Sequence, residues 1–116
     1  MPIRLLREKA APEQVREMLE AFPQERMIKI VVDIRRRLLA GGGEMHYDCE
    51  QALLEDGGEQ DDLWGANWYP DKQTIEFESL INIRPRLGNF KIVLQNPELC
   101  QAVEQITREY LEGVSA

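Results

Sequence analysis

Residues 44–50 constrain the fold most, because polar and apolar side chains alternate at all seven positions of the run EMHYDCE. A period of two is typical of a strand with one buried face and one solvated face. In a helix the three apolar side chains would scatter around the axis. The alternation therefore predicts a strand that extends through Glu50.

A competing helix covers Cys49 to Asp56 in the same region. Asp48 would be its N-cap and Gly57 would end it, and both residue types favour those positions. The segment CEQALLEDG is compatible with this helix. Residues 51–55 therefore stay open between the two assignments.

The strand over 44–50 has a predicted partner in the β-branched run Met27 to Ile34. A Gly41-Gly42 turn would join the two into a hairpin in which opposed residue numbers sum to 83. This register separates apolar from polar pairs, whereas a slip by one residue would mix them. Its pairs include Leu38 with Met45 on the apolar face, and Asp33 with Glu50 and Arg35 with Asp48 on the polar face.

Helix signals mark both ends of the chain. Ile3 to Arg7 favours a short strand, and Pro12 opens a helix with apolar residues at helical spacing. Asn96 and Pro97 are the predicted N-cap and first residue of a closing helix that ends at Gly113. The apolar residues of the two helices are Val15, Met18, Leu19 and Phe22, and then Leu99, Val103, Ile106 and Tyr110.

A second hairpin is predicted around the turn Asp71-Lys72, between the runs 63–69 and 74–83. Its register pairs Trp68 with Ile75 and Ala66 with Phe77 on the core face, and Asn67 with Glu76 on the reverse face. Trp64 and Trp68 share the core face. A tryptophan pair in that position is more typical of a sheet interior than of a ligand cage.

Length and composition predict one domain over residues 1–116. The chain has 43% hydrophobic and 30% charged residues, which are ordinary values for a globular domain. The predicted fold class is α+β, an antiparallel β-meander with N-terminal and C-terminal helices packed on its apolar face. Cys49 and Cys100 lie far apart and favour free thiols over a disulfide or zinc site.

Charge argues against nucleic acid as a partner. The net charge is −7, and no basic stripe is present that could neutralise phosphates. Residues 43–80 carry eleven acidic side chains and one basic one, and we expect the Arg35–Arg37 run to pair with this acidic block. The absence of a long apolar run or signal peptide predicts a cytoplasmic protein that does not enter a membrane.

The acidic strand face is the first candidate site. Asp33, Glu44, His46 and Asp48 would lie close together there, and carboxylates with an imidazole suit a divalent metal, the one candidate cofactor. Glu50 and Glu76 are the candidate catalytic bases. The competing interpretation is a solvated face whose acids are compensated by Arg35 and Arg37.

The segment Ile83 to Asn89 is the second candidate site. Arg84, Arg86 and Asn89 are its candidate ligand-binding residues, because arginine side chains beside a Gly-Asn turn can hold a carboxylate or phosphate. The competing interpretation is that both arginines pair with the acids of the sheet.

Five motifs lie between Met27 and Asn89. They are VVD at 31–33, GGExHxDxE at 42–50, LLExG at 53–57, LWGxN at 63–67 and NxRPxxGN at 82–89. Together they resemble a family of short bacterial proteins, common in cyanobacteria, whose function is unknown. The resemblance implies no activity.

Two functions are compatible with these residues. The first is a non-enzymatic binding or assembly module, because the chain lacks a complete catalytic set. This module would form a homo-oligomer, because Leu39, Leu63 and Leu80 are expected on otherwise polar faces and a partner would cover them. The second is a small metal-assisted hydrolase or lyase that uses the acidic strand face, with Arg84 steadying an anionic substrate.

Overall fold

Five short antiparallel strands form one sheet in the computed structural model, which describes residues 3–116. Three helices pack against the sheet, and the α+β class is confirmed. The strands lie in the order β1-β3-β2-β4-β5. In chain order the elements are β1 Arg4–Leu6, α1 Pro12–Met18, β2 Ile28–Asp33, β3 Leu38–Gly41, α2 His46–Glu55, β4 Leu63–Tyr69, β5 Thr74–Glu76 and α3 Pro97–Leu111.

The central strand β2 supplies a core on each face of the sheet. Ile28, Ile30 and Val32 pack with α1, α3 and the two tryptophans, as the sequence predicted for the N-terminal and C-terminal helices. Trp64 and Trp68 are buried in this core. The reverse face was expected to be solvated, and this was wrong, because Val31 packs there against α2.

The predictions for both ends of the chain are confirmed. β1 lies within the predicted strand, and α1 begins at Pro12 and continues into a short 3₁₀ turn. Asn96 caps α3, since its Oδ1 accepts a hydrogen bond of 2.8 Å from the backbone N–H of Glu98. Gly113, with φ of +79°, follows the end of α3.

The strand predicted over residues 44–50 is wrong, because His46 to Glu55 form helix α2. The competing helix was the better assignment, although it begins at His46 rather than Cys49. The N-cap is Met45 rather than Asp48. Asp48 lies three residues further on, and its carboxylate accepts a hydrogen bond of 3.2 Å from the Met45 N–H. Gly57, with φ of +103°, lies just after the helix as expected.

The Gly41-Gly42 hairpin is wrong for the same reason. β2 instead pairs with β3, with Ile30 opposite Gly41 and Asp33 opposite Leu38, so that opposed numbers sum to 71. The turn consists of residues 34–37. Asp33 Oδ1 accepts from the N–H groups of Arg35 at 3.1 Å and Arg36 at 2.9 Å, and this side-chain bonding fixes the turn.

The second hairpin is confirmed for the residues next to its turn. Trp68 lies opposite Ile75, and Asn67 lies opposite Glu76, as predicted. β5 ends at Glu76, however, so the predicted strand to Ile83 is wrong. Residues 77–93 form an irregular segment with two 3₁₀ turns. We call this segment the edge loop, because it runs along the part of β4 that β5 leaves unpaired.

No helix within the described residues is both long and apolar enough to cross a membrane.

Candidate functional site

Two side chains of the edge loop take the place of a neighbouring strand beside β4. Asn82 accepts from the Gly65 N–H at 2.8 Å and donates to the Gly65 carbonyl at 2.9 Å. Arg84 donates to the Leu63 carbonyl at 2.6 Å. These bonds satisfy backbone groups that a missing strand would otherwise leave unpaired. They also hold the edge loop against the sheet.

Gly65 allows the edge loop to approach this closely. A Cβ atom at position 65 would lie 2.5 Å from Ser79 Cβ and 3.2 Å from His46 Cδ2. Any side chain there would push the loop and the start of α2 away from β4. The glycine of the LWGxN motif is therefore a packing requirement.

A cleft of about 370 Å³ opens between the start of α2 and the edge loop. Buried polar residues, His46, Asn67 and Ser79, form its base. Its remaining lining is mainly apolar, from Met45, Tyr47, Leu80, Ile81 and Ile92, with Lys29 and Glu78 also contributing. An apolar cleft with a few polar groups at its base is the usual form of a small-ligand site.

His46 is neutral at the base of this cleft. Burial is the main cause that lowers its pKa below the usual 6.5, and the Lys29 ammonium lowers it further. The Ala66 carbonyl and the Asn67 side chain act in the opposite direction. The His46 Nε2 lies 2.8 Å from the Ala66 oxygen, and because a carbonyl only accepts, Nε2 carries the proton.

The Asn67 side chain makes hydrogen bonds through its amide nitrogen. Its Nδ2 donates to Glu76 Oε1 at 3.1 Å and to the Glu78 carbonyl at 3.4 Å. Its Oδ1 is buried and makes no hydrogen bond of normal geometry with any residue that the structure describes, although the imidazole of His46 lies beside the side chain. Asn67 Oδ1 is therefore closed off from solvent beside the His46 imidazole.

A second cleft of about 500 Å³ adjoins the first and shares Tyr47, Leu80 and Ile81 with it. Glu50 and Arg84 line it and form an ion pair of 2.9 Å. The Arg84 guanidinium also stacks over Trp64, 4.8 Å from the ring centre. Burial lowers the pKa of Arg84, which the charge of Glu50 partly offsets.

The predicted acidic cluster does not form on one strand face. Asp33 is buried on β2 in a 2.7 Å ion pair with Arg36, and Asp48 caps α2. His46 lies at the cleft, whereas Glu44 is exposed just before α2. Within residues 3–116, no three His, Cys, Asp or Glu side chains are close enough together to hold a metal ion.

The remaining predicted site residues have internal partners. Arg86 pairs with Asp61 at 2.5 Å. Asn89 is buried, donates to the carbonyls of Asn82 and Lys91 at 2.8 Å, and accepts from the Gln95 N–H. Glu76 accepts from Asn67 and from the Tyr69 hydroxyl, both at 3.1 Å.

The arginine run pairs with acids, as expected, although not only with the acidic block. Arg35 pairs with Asp62, and Arg36 also reaches Asp56, but Arg37 pairs with Glu109 of α3. The two cysteines are free. Burial raises the pKa of Cys49 to about 11, so its thiol stays protonated and unreactive at neutral pH.

The large exposed hydrophobic side chains come from two segments of the chain. Within the described chain, every large exposed one lies in residues 45–47 or 80–93, and we call this set the apolar surface. Leu80 is 77% exposed and Phe90 is 65% exposed. The surface consists of Met45, Tyr47, Leu80, Ile83, Leu87, Phe90, Ile92 and Val93.

The sequence placed one of these residues correctly. Leu80 is exposed as predicted, but Leu39 and Leu63 are fully buried. Met45 and Tyr47 were assigned to a buried strand face and were missed. A usable signal was the high apolar content of residues 80–93, which fits neither a helical nor a strand period.

Comparison with known proteins gives the chain a family and no activity. No curated protein and no solved structure matches it. Residues 4–110 match the family described as protein of unknown function (DUF5674), and the chain therefore belongs to that family.

Proposed function

We propose that the protein is a non-enzymatic binding and assembly module that associates with a second copy of itself through the apolar surface. The segregation of exposed hydrophobic side chains carries this proposal. Single exposed hydrophobic residues are ordinary on soluble proteins, whereas a contiguous set marks an interaction site. Here five of the eight, Met45, Tyr47, Leu80, Ile83 and Ile92, line two clefts that adjoin each other.

The edge loop directs two of these side chains outward by its backbone pairing. Arg84 and Asn89 form an isolated antiparallel bridge, and both side chains make their contacts inside the molecule. Side chains alternate across a strand, so the adjacent Ile83 and Phe90 point away from the core. Burying Arg84 and Asn89 thus exposes an isoleucine and a phenylalanine, which a partner would cover.

Charge favours a second copy as that partner. Residues 80–93 contain three basic side chains and no acidic one, although the whole chain carries −7. Lys91 lies between two residues of the apolar surface, and Glu44 precedes a third. A two-fold arrangement can therefore bring the basic loop of one copy against the acidic start of α2 in the other.

The proposal extends to the family and the compartment. We infer a bacterial, cytoplasmic homodimer whose family shares the motifs LWGxN and NxRPxxGN. Gly65, Asn82, Arg84 and Asn89 support the shared motifs, because they are motif residues that hold the edge loop in place. An alignment of family members that lacked them would contradict the motif assignment.

Charge substitutions on the apolar surface test the self-association. Leu80→Glu and Phe90→Glu should each give a monomer in light scattering after gel filtration, because a buried unpaired carboxylate disfavours the interface. Gln101→Glu adds the same charge at an exposed position of α3 and should leave the dimer intact. A dimer in both surface variants would contradict the proposal.

A further inference from the structure

The second cleft contains a buried carboxylate that is bonded through one of its two oxygens. Glu50 is 3% exposed, and its Oε2 accepts from the Arg84 guanidinium at 2.9 Å. Its Oε1 accepts no hydrogen bond from any residue between 3 and 116. A carboxylate taken out of water needs donors for both oxygens, because both lose the solvent that would otherwise bond to them. Glu50 therefore has an acceptor left for a donor from outside the chain.

Glu50 Oε1 differs from the atoms that the fold closes off. Within the described chain, three side-chain atoms are both unpaired and buried. They are Trp64 Nε1, Asn67 Oδ1 and Trp68 Nε1. Glu50 Oε1 is unpaired but is not one of these buried atoms, and Glu50 lines the second cleft of about 500 Å³. The open oxygen can therefore be reached from this cleft.

The charges of the second cleft favour an uncharged ligand. Glu50 and Arg84 neutralise each other, and Arg86 is paired with Asp61. An anion would be repelled by the carboxylate of Glu50, and a cation would be repelled by the guanidiniums of Arg84 and Arg86. An uncharged group that carries both a donor and an acceptor avoids both repulsions.

An amide is such a group, and the cleft can accommodate each part of it. Its N–H is a donor for a carboxylate oxygen, and its carbonyl is an acceptor for a guanidinium N–H. The remaining lining of the cleft is largely apolar and can contact the body of the ligand. It comes from Tyr47, Leu80, Ile81, Ile83 and Pro85. The cleft volume lies within the usual range for small ligands.

We propose that the second cleft binds a small uncharged amide with an apolar body, whose N–H donates to Glu50 Oε1. A guanidinium of the cleft donates to the amide carbonyl, and Tyr47 and Ile83 contact the apolar body. This binding site goes beyond self-association and does not depend on it. The two are neighbours, because Tyr47, Leu80 and Ile83 belong both to the cleft and to the apolar surface.

Four benzene derivatives of nearly the same shape test which group binds. Benzamide has a donor and an acceptor, acetophenone has a methyl group in place of the donor, benzoate is an anion, and benzamidinium is a cation. We expect benzamide to bind about tenfold more tightly than acetophenone, because loss of one buried hydrogen bond is of that order. Benzoate and benzamidinium should both bind more weakly than benzamide. Titration followed by ¹H–¹⁵N NMR measures the affinities and shows whether the Glu50 and Arg84 signals shift.

Variants locate the discrimination at Glu50. The double variant Glu50→Leu with Arg84→Met removes the open oxygen without leaving a buried charge, and it should bind benzamide and acetophenone equally. Gln60→Ala removes another polar side chain of the cleft and should keep the preference for benzamide. The comparison of the four probes on the wild-type protein stands even where the double variant does not fold.

Three results would overturn the inference. These are equal affinity of the wild-type protein for benzamide and acetophenone, tighter binding of either charged probe than of benzamide, and a preserved preference for benzamide in the folded double variant.

Phe90→Glu separates this inference from self-association, since Phe90 lines neither cleft. A monomeric Phe90→Glu that prefers benzamide over acetophenone supports the ligand site independently of the dimer. No binding of benzamide at millimolar concentration, either to the wild-type protein or to Phe90→Glu, would contradict the ligand site and leave the self-association standing.

Discussion

Gly65 shows how one residue fixes the site by having no side chain. We expect Gly65→Ala to lower the free energy of unfolding by about 3 kcal/mol, because its Cβ would overlap Ser79 and force the edge loop outward. Urea unfolding measures the change. Gly88→Ala is the control. A side chain there is strained by the positive φ of +83°, but its Cβ meets no other atom within 4 Å. Backbone strain alone should cost about 1 kcal/mol, and an equal loss in both variants would contradict the packing argument.

His46 is the single histidine of the chain, so its imidazole gives one NMR titration. We expect a midpoint below 6.5, because burial lowers the pKa in the folded protein. The unfolded chain then binds the proton more readily. The stability that the neutral imidazole contributes is complete above pH 6.5 and is lost as the pH falls from there through the folded pKa. A midpoint at or above 6.5 would contradict the burial of this ring.

At the level of elements, the buried residues of α2 explain why this helix was predicted as a strand. Its buried residues are His46, Cys49, Glu50 and Leu53, which have helical spacing. Two of the four are polar, and each is satisfied by a residue far along the chain, His46 by the Ala66 carbonyl and Glu50 by Arg84. A hydrophobicity pattern does not show that a polar side chain will be buried with a distant partner. His46 and Glu50 were therefore assigned to a solvated face, and the alternation of polar and apolar residues favoured a strand.

The elements that were predicted correctly are marked by residues within the element itself or next to it in the sequence. Pro12 starts α1, Asn96 caps α3, and the turn after β4 sets the pairing of Trp68 with Ile75. The β2–β3 turn was missed because Asp33 stabilises it with its side chain, while the glycines at 41–43 offered a more familiar turn. Of the candidate site residues, Glu76 lies opposite Asn67 as predicted, and Arg84 and Arg86 pair with acidic residues, as the competing interpretation of that segment expected.

The ion pair of Arg84 joins α2 to the edge loop. We expect Arg84→Met to cost about 3 to 5 kcal/mol in urea unfolding, because it leaves Glu50 buried without a cation and the Leu63 carbonyl without a donor. The double variant Arg84→Met with Glu50→Leu should recover much of that loss, since no buried charge is left unpaired. A double variant no more stable than the single one would contradict this explanation.

Asn82 replaces a strand along β4, and hydrogen exchange can detect it. We expect Asn82→Ala to increase exchange of the Gly65 amide far more than exchange of the β2 amides, because only the outer edge of β4 loses its partner. Asn96→Ala removes an asparagine that caps α3 and serves as the control. A uniform rise in exchange in Asn82→Ala would show a general loss of stability rather than a local role.

For the whole molecule, helices on both faces change where function can reside. The expected solvated sheet face is covered by α2, so the remaining accessible features are the two clefts and the apolar surface around the edge loop. They combine residues from β2, α2, β4 and the edge loop, and Lys29 and Ile92 of the first cleft are 63 positions apart. Such a site depends on tertiary packing and could not be assembled from motifs in the sequence.

Sedimentation of the wild-type protein tests the self-association most directly. At tens of micromolar and physiological salt, we predict a species of twice the monomer mass of 13.4 kDa, which dissociates on dilution. The apolar surface would be buried in that species and exposed after dissociation. A single species of 13.4 kDa throughout this concentration range would contradict the account.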